Sequence, residues 1–285
     1  MKWNTGFTIS ANRSKVLSLG ELNKLEFRTT TGGGYNFSNS GRALMNLVVG
    51  HPLGEMTGYQ TAGTWKESER ETAAKFGQLP GDQKFVDQNN DGKIDTKDLT
   101  VIGQALPKFF FGWTNTVSYK NFDLNFLIQG SQGNDLFNGG NVRLQAPGEG
   151  TSSVLLDRWT PDHQDTDIPG FTNQSVRTAA NLPTGNMIAN LRNRTDNRLS
   201  RYVEDASYVR LKNITFAYSL PTGLVGPAIK KLRVYMSAAN LVTLTKYKGY
   251  DPEASSFNNN DARAGIDFSN YPTAKTYTVG FDLTF

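Results

Sequence analysis

The residues best spaced for chemistry form the run Asp87-Gln88-Asn89-Asn90-Asp91-Gly92-Lys93-Ile94-Asp95-Thr96-Lys97-Asp98. A calcium loop takes oxygen ligands from positions 1, 3, 5, 7, 9 and 12, around a sharp turn at a glycine in position 6. Here Asp87, Asn89 and Asp91 fill the first three ligand positions, Lys93 would offer its carbonyl, and Asp95 and Asp98 complete the set. The loop template places Glu at the last position, so the shorter Asp98 weakens a bidentate grip, and no helix pair flanks the run. The same spacing suits a metal-free turn in which Asp and Asn side chains cap their own backbone. Calcium and the bare turn both stand as readings.

Other constellations are sparse. The chain has no Cys and two His, which excludes disulfides and thiolate metal sites. His51 lies beside Pro52 in a turn and His163 follows Thr160-Pro161-Asp162, so both read as surface loop residues. Glu204-Asp205 sits in a loop-to-strand run and needs no acid–base role, while Asp251-Pro252-Glu253 reads as a turn. No Gly-x-Ser-x-Gly and no phosphate loop occur, so the expectation is a protein without catalysis. Lys and Arg number 30 against 26 Asp and Glu, spread without a basic run, which gives no reason to expect a nucleic-acid partner. No stretch reaches the ~18 apolar residues of a membrane helix. The opening Met1-Lys2-Trp3-Asn4 runs straight into a strand pattern, with no leader expected.

The elements that would carry these loops are strands. Tyr277, Val279, Phe281, Leu283 and Phe285 alternate with Thr278, Gly280, Asp282 and Thr284 to the last residue. That period of two gives one greasy and one wet face. A longer version comes earlier. Phe109, Phe111, Trp113, Val117 and Tyr119 share one face, and Phe122, Leu124, Phe126 and Ile128 share the face of a return strand. Lys120-Asn121 as a two-residue turn sets Tyr119 opposite Phe122, so the faces match. Trp3 to Ala11 predicts a first strand, with Leu22–Phe27 as its expected partner. Leu44–Val49, Met56–Ala62, 207–220 and 232–242 predict further strands, and Glu67–Phe76 a short helix closed by Gly77. Residues 29–41 and 131–206 are polar and turn-rich. So long an irregular region suits the outer loops of a membrane barrel better than a compact soluble domain. Counting back from the last strand puts the short connections, Lys120-Asn121 and 221–231, on one side and the long ones on the other, the asymmetry such barrels require.

Taken together these segments resemble the C-terminal part of SusC/RagA-type TonB-dependent outer-membrane transporters. The resemblance rests on Leu79-Pro80-Gly81-Asp82 leading into the 87–98 run, on Ile102-Gly103 and Pro107, and on Tyr119–Leu124 with Gln129-Gly130. It continues through Arg201-Tyr202-Val203-Glu204-Asp205-Ala206-Ser207-Tyr208-Val209-Arg210-Leu211-Lys212-Asn213. Asn240-Leu241, Thr245-Lys246-Tyr247, Gly249–Glu253 and Tyr271-Pro272 complete it. It implies an all-β fold: an antiparallel transmembrane β-barrel with long extracellular loops. Residues 1–285 would be the C-terminal part of that barrel, roughly nine strands of a wall of about 22. It also implies location in the cell outer membrane and import of glycan or peptide cargo with a SusD-like lipoprotein. Energy would come from a TonB complex contacting a plug, and the plug, its TonB contact and a signal peptide are not matched here.

Two functions from different classes follow. In the transporter reading, Phe109, Phe111, Trp113, Tyr119, Phe122, Leu124, Phe126, Tyr277, Val279, Phe281, Leu283 and Phe285 face outer-membrane lipid. In the other, the chain is a soluble, calcium-stabilised β-sheet module binding glycan or protein, and those residues are its core.

Overall fold

A computed structural model describes residues 1–27, 44–145, 151–170, 198–221, 223, 228–256 and 264–285. The loop expected at 29–41 lies outside these residues, as do parts of the 131–206, 221–231 and 243–274 connections. The strands in chain order are β1 (Lys2–Ser10), β2 (Lys24–Phe27), β3 (Met45–Val48), β4 (Glu55–Tyr59), β5 (Thr61–Thr64), β6 (Gln83–Phe85) and β7 (Leu99–Gln104). Then come β8 (Phe109–Tyr119), β9 (Phe122–Gln132), β10 (Asp135–Asn138), β11 (Val203–Asp205), β12 (Tyr208–Leu220), β13 (Lys231–Thr245), β14 (Ile266–Asp267) and β15 (Thr276–Thr284). The only elements of α-helix among the described residues are α1 (Arg70–Lys75) and α2 (Gly139–Leu144).

Six strands form one antiparallel sheet in the order β1-β8-β9-β12-β13-β15, called the wall below. Alternation decides its faces. Trp3, Val117, Leu124, Phe216, Met236 and Val279 stand in one row across all six strands. On the opposite face the matching row is Asn4, Thr116, Asn125, Thr215, Ser237 and Thr278. The hairpin of β8 and β9 turns through Lys120-Asn121 with Tyr119 opposite Phe122, as its sequence predicts. Lys120 takes a positive φ of 52° there, a left-handed step that matches the twist of paired strands. Register breaks once in the wall, between Leu211 and Asn213 of β12. Lys212 is the extra residue against β9, so Tyr208 and Arg210 join Asn213 and Thr215 on the polar face.

The partner of β1 is β8, not Leu22–Phe27; β2 pairs with β3 instead. The strand expected over Met56–Ala62 is two, β4 and β5, which lie in different sheets. Of the roughly nine strands read from the sequence, six therefore build the wall and the rest belong elsewhere.

That elsewhere is a second body at one end of the wall. The connections 11–108, 133–207 and 246–275 all leave from that end, while 120–121 and 221–230 join strands at the other. The long connections fold together as a head of three small sheets, β2-β3-β4-β7, β11-β10-β14 and β5-β6. Its core gathers Met45, Met56, Tyr59, Phe85, Phe137, Leu199, Tyr202 and Ile266 from all three connections. Phe137 and Ile266 are fully buried, and Tyr202 meets Phe137 edge-on.

Candidate functional site

The apolar face of the wall has no second layer of described residues packed over it. Phe7, Phe216, Met236, Val279 and Phe281 remain 62, 50, 54, 74 and 68 % exposed. The named face residues fall together: Trp113, Tyr119, Phe122, Tyr277 and Leu283 are exposed, and Phe109, Phe111, Leu124 and Phe126 are half-buried among their neighbours on the same face. Phe285, one residue beyond β15, is exposed as well. Aromatic pairs knit the surface sideways, Phe7 on Phe111, Trp113 against Phe126, and Phe122 on both Phe216 and Tyr218. β1 and β15 each pair on one side only among the described residues.

Where the wall meets the head, one buried cation ties them together. Arg210 on β12 is 2 % exposed and donates to Asp251 Oδ1 at 2.6 Å, to Glu253 and to Thr243 Oγ1 at 2.9 Å. Tyr208 Oη also donates to Glu253, and Gln129 Nε2 reaches the same carboxylate at 3.2 Å. One wall strand besides β12, β9, thus holds the Asp251–Glu253 turn directly, while Thr243 of β13 steadies Arg210. Burial works against ionisation of Asp251. The hydrogen bonds from Thr273, Glu253 and Arg210, with the Arg210 charge, outweigh it and hold the carboxyl below its usual range. A cavity of about 430 Å³ opens beside this cluster, lined in part by Phe110, Gln129, Asn134, Tyr208 and Glu253.

The 87–98 loop closes on itself. Asp87 Oδ2 accepts from the amide of Gly92 at 2.8 Å, Asn89 Oδ1 from that of Asp91 at 3.0 Å, and Asp91 Oδ1 from that of Lys93 at 3.0 Å. Asp98 is buried, and its two oxygens take the amides of Gln88 and Asp95 at 2.9 and 2.7 Å. Asn90 and Gly92 adopt positive φ, which lets the chain turn tightly enough for these bonds. Among the described residues no three acidic or His side chains converge on a common point. The donor chemistry fits calcium, and each Asp98 oxygen already accepts one main-chain amide, which leaves a second lone pair on each.

The remaining polar motifs are structural. His51 pairs with Glu55 and His163 with Asp157, each at 2.8 Å and on the surface. Glu204 accepts from Asn138, Asn141 and the amide of Lys248, binding three parts of the head.

No family model matches the chain. It is 33 % identical to TonB-dependent receptor P26 of Formosa agariphila over 294 residues, which cover 99 % of this chain and 27 % of that protein. TonB-dependent receptor SusC of Bacteroides thetaiotaomicron is 28 % identical over 72 % of this chain and 18 % of its own length. The chain belongs to the SusC-type TonB-dependent receptors. It spans about a quarter of the length of the curated relatives that match all of it, 27 % for P26. Among solved structures, the RagAB peptide transporter superposes with a TM-score of 0.68 at 23 % identity, over 99 % of this chain and 27 % of that one. The RagAB peptide importer in its 'open-open' state gives 0.68 at 24 %. These likenesses show the fold, and they agree with an all-β receptor segment.

Within that family frame, sequence reading missed Arg210 and its carboxylates. Asp251-Pro252-Glu253 does form a turn, but its acids serve a buried guanidinium. One signal was available: a charged residue inside a strand demands a partner once buried.

Proposed function

We propose that this chain forms part of the barrel wall and outer loops of an outer-membrane, TonB-dependent importer of glycans or oligopeptides. A SusD-like surface lipoprotein is its proposed partner. The contact for the TonB complex and the plug are assigned to parts of the longer relatives that this chain does not span. The observation that carries the reading is the uncovered apolar row from Trp3 to Val279, backed by a polar row on the reverse face. Water does not tolerate so broad an apolar surface on a folded monomer, whereas a bilayer requires one. The twelve face residues from Phe109 to Phe285 named from the sequence are the lipid-facing set. No catalytic role is assigned to any residue.

The test is spin labelling of Val279, Gly280, Phe281 and Asp282 in the full-length protein within an outer-membrane host. Lipid-soluble oxygen should relax labels at Val279 and Phe281, and a water-soluble nickel complex those at Gly280 and Asp282. Equal access along β15 would remove the wall from the membrane.

For the 87–98 loop the proposal is a calcium clip that stiffens the head, with Asp87, Asn89, Asp91, Asp95 and Asp98 as side-chain ligands and Lys93 giving its carbonyl. Calorimetry with millimolar calcium on the intact protein reads it. Absence of heat leaves the loop as a self-capped turn.

A further inference from the structure

The β1–β8 seam poses a register problem that its connection cannot solve. Between β8 and β9 a two-residue turn fixes which residues face each other. Between β1 and β8 lie residues 11–108, so the connection sets no register at all. Alternation of faces excludes slips of one residue, because they would turn the apolar side inward. A slip of two keeps every residue on its face and must be excluded otherwise.

The side chains at the seam supply part of what the connection lacks. Thr5 and Asn115 are directly opposite each other, two polar residues on the apolar face. Trp3 Nε1 donates to Asn115 Oδ1 at 3.1 Å, and Trp113 Nε1 donates to Thr5 Oγ1 at 2.9 Å. The two bonds cross the seam in opposite directions about the Thr5–Asn115 pair. Trp3 and Trp113 are exposed, yet Asn115 is 1 % exposed, so the aromatic surface covers the polar centre. Phe7 stacks on Phe111 one step further along. Sliding β1 by two residues in either direction brings Thr5 opposite Trp113 or Val117. The slip to Val117 sets Trp3 against Tyr119, so both indole donors lose their acceptors and Asn115 and Thr5 are left unpaired on an apolar face. The slip to Trp113 sets each donor directly across from its acceptor instead of diagonally.

We propose that the Trp3–Asn115 and Trp113–Thr5 bonds are a one-way register lock that bars the slip of β1 carrying Thr5 from Asn115 to Val117. Against that slip they take the part that the turn plays in the neighbouring hairpin. Each bond carries roughly a fivefold to tenfold preference over that slipped pairing.

The chain has no Cys, so engineered pairs report register without background. Asn4→Cys is combined in turn with Thr116→Cys, the native partner, and with Thr114→Cys or Ser118→Cys, the two slipped partners, in the full chain folded in detergent. Thr215→Cys with Ser237→Cys, directly opposite across β12 and β13, normalises every sample. With the native tryptophans the Thr116 pair should dominate the Ser118 pair by about tenfold or more. Trp3→Phe with Trp113→Phe, which keeps an aromatic ring at each site and removes both donors, should raise cross-linking of the Ser118 pair to within a few-fold of the native one. Thr5→Val with Asn115→Leu removes the acceptors and should give the same redistribution. Cross-linking that stays with Thr116 in both double variants overturns the lock.

Discussion

The wall and the head are built from the same kind of strand and solve opposite problems. In the wall, long strands alternate throughout, apart from the bulge in β12, and leave their large residues on the surface, as at Val279 and Phe281. In the head, short strands surround Phe137, Tyr59 and Ile266 and bury them almost completely. Alternation thus reports which residues share a face, and only the layer above that face decides whether it is surface or core. The head follows the rules of a water-soluble domain, a packed core with most buried polar groups satisfied, Asn46 being an exception. The wall inverts the first of them.

The sharpest way to break this contrast is to cut one large apolar residue from each body. Phe137→Ala should cost the head about 3–5 kcal/mol, because it empties a fully buried site. Hydrogen exchange should rise in β4, β10 and β14 and stay unchanged in β15. Phe281→Ala on the wall should leave exchange in the head untouched. Arg210→Met is expected to be comparable, about 3–5 kcal/mol, since it leaves the buried Asp251 carboxylate without its cation. Protease cutting within 246–256 should accelerate, and a variant adding Asp251→Asn should recover part of the loss.

A charge on the outer face sharpens the comparison from the other side. Met236→Arg should cost about 2–4 kcal/mol in a bilayer at mid-depth and little in the water-exposed state. Denaturation midpoints of the full-length protein in vesicles would read it, and an equal cost at Phe137 and Met236 in water would contradict the division of the two bodies.

Acid should act on the head with a definite sign. The Asp251 carboxyl is held low when folded, so its stabilisation is complete above the ordinary carboxylate value of about 4 and is lost as pH falls through the lower folded value. Asp135 behaves in reverse. Burial, with the nearby Asp205 charge, raises its carboxyl against the amide of Gln104 and the Lys108 charge. Its ionisation therefore weakens the head increasingly as pH rises from about 4 through the raised folded value. Asp135→Asn should stabilise the head slightly at neutral pH and not below about 4. Thermal melts across that window measure both effects. Opposite slopes for the two substitutions are expected.

The sequence was legible where local chemistry sets structure. β8, β9 and β15 carry unbroken alternation, and the Lys120-Asn121 turn fixes a register that the fold reproduces. The Asp87–Asp98 run was legible as a turn for the same reason, since its bonds span five residues or fewer apart from the tie between Asp98 and Gln88. Pairing across long connections was not. β1 had a nearby candidate in Leu22–Phe27, and nothing local pointed to β8 beyond residue 108. The head core was hidden because Met45, Met56, Phe137 and Ile266 come from strands too short to show a period. Gathering them needs three connections to fold at once.

The bulge at Lys212 gives β12 a constraint of another kind. Below it the even-numbered residues Ile214, Phe216 and Tyr218 point outward; above it the odd-numbered Val209 and Leu211 do. A single strand therefore carries two phases, and Lys212 is the syllable that joins them. Any side chain with a soluble tip could occupy that position at small cost. Removing the residue would set Leu211 directly beside Asn213 and restore unbroken alternation against β9, with Arg210 still on the polar face and Val209 and Leu211 still outward. A deletion scan through β12 should thus find Lys212 the position most tolerant of loss, because a deletion elsewhere in the strand turns one of the two phases over.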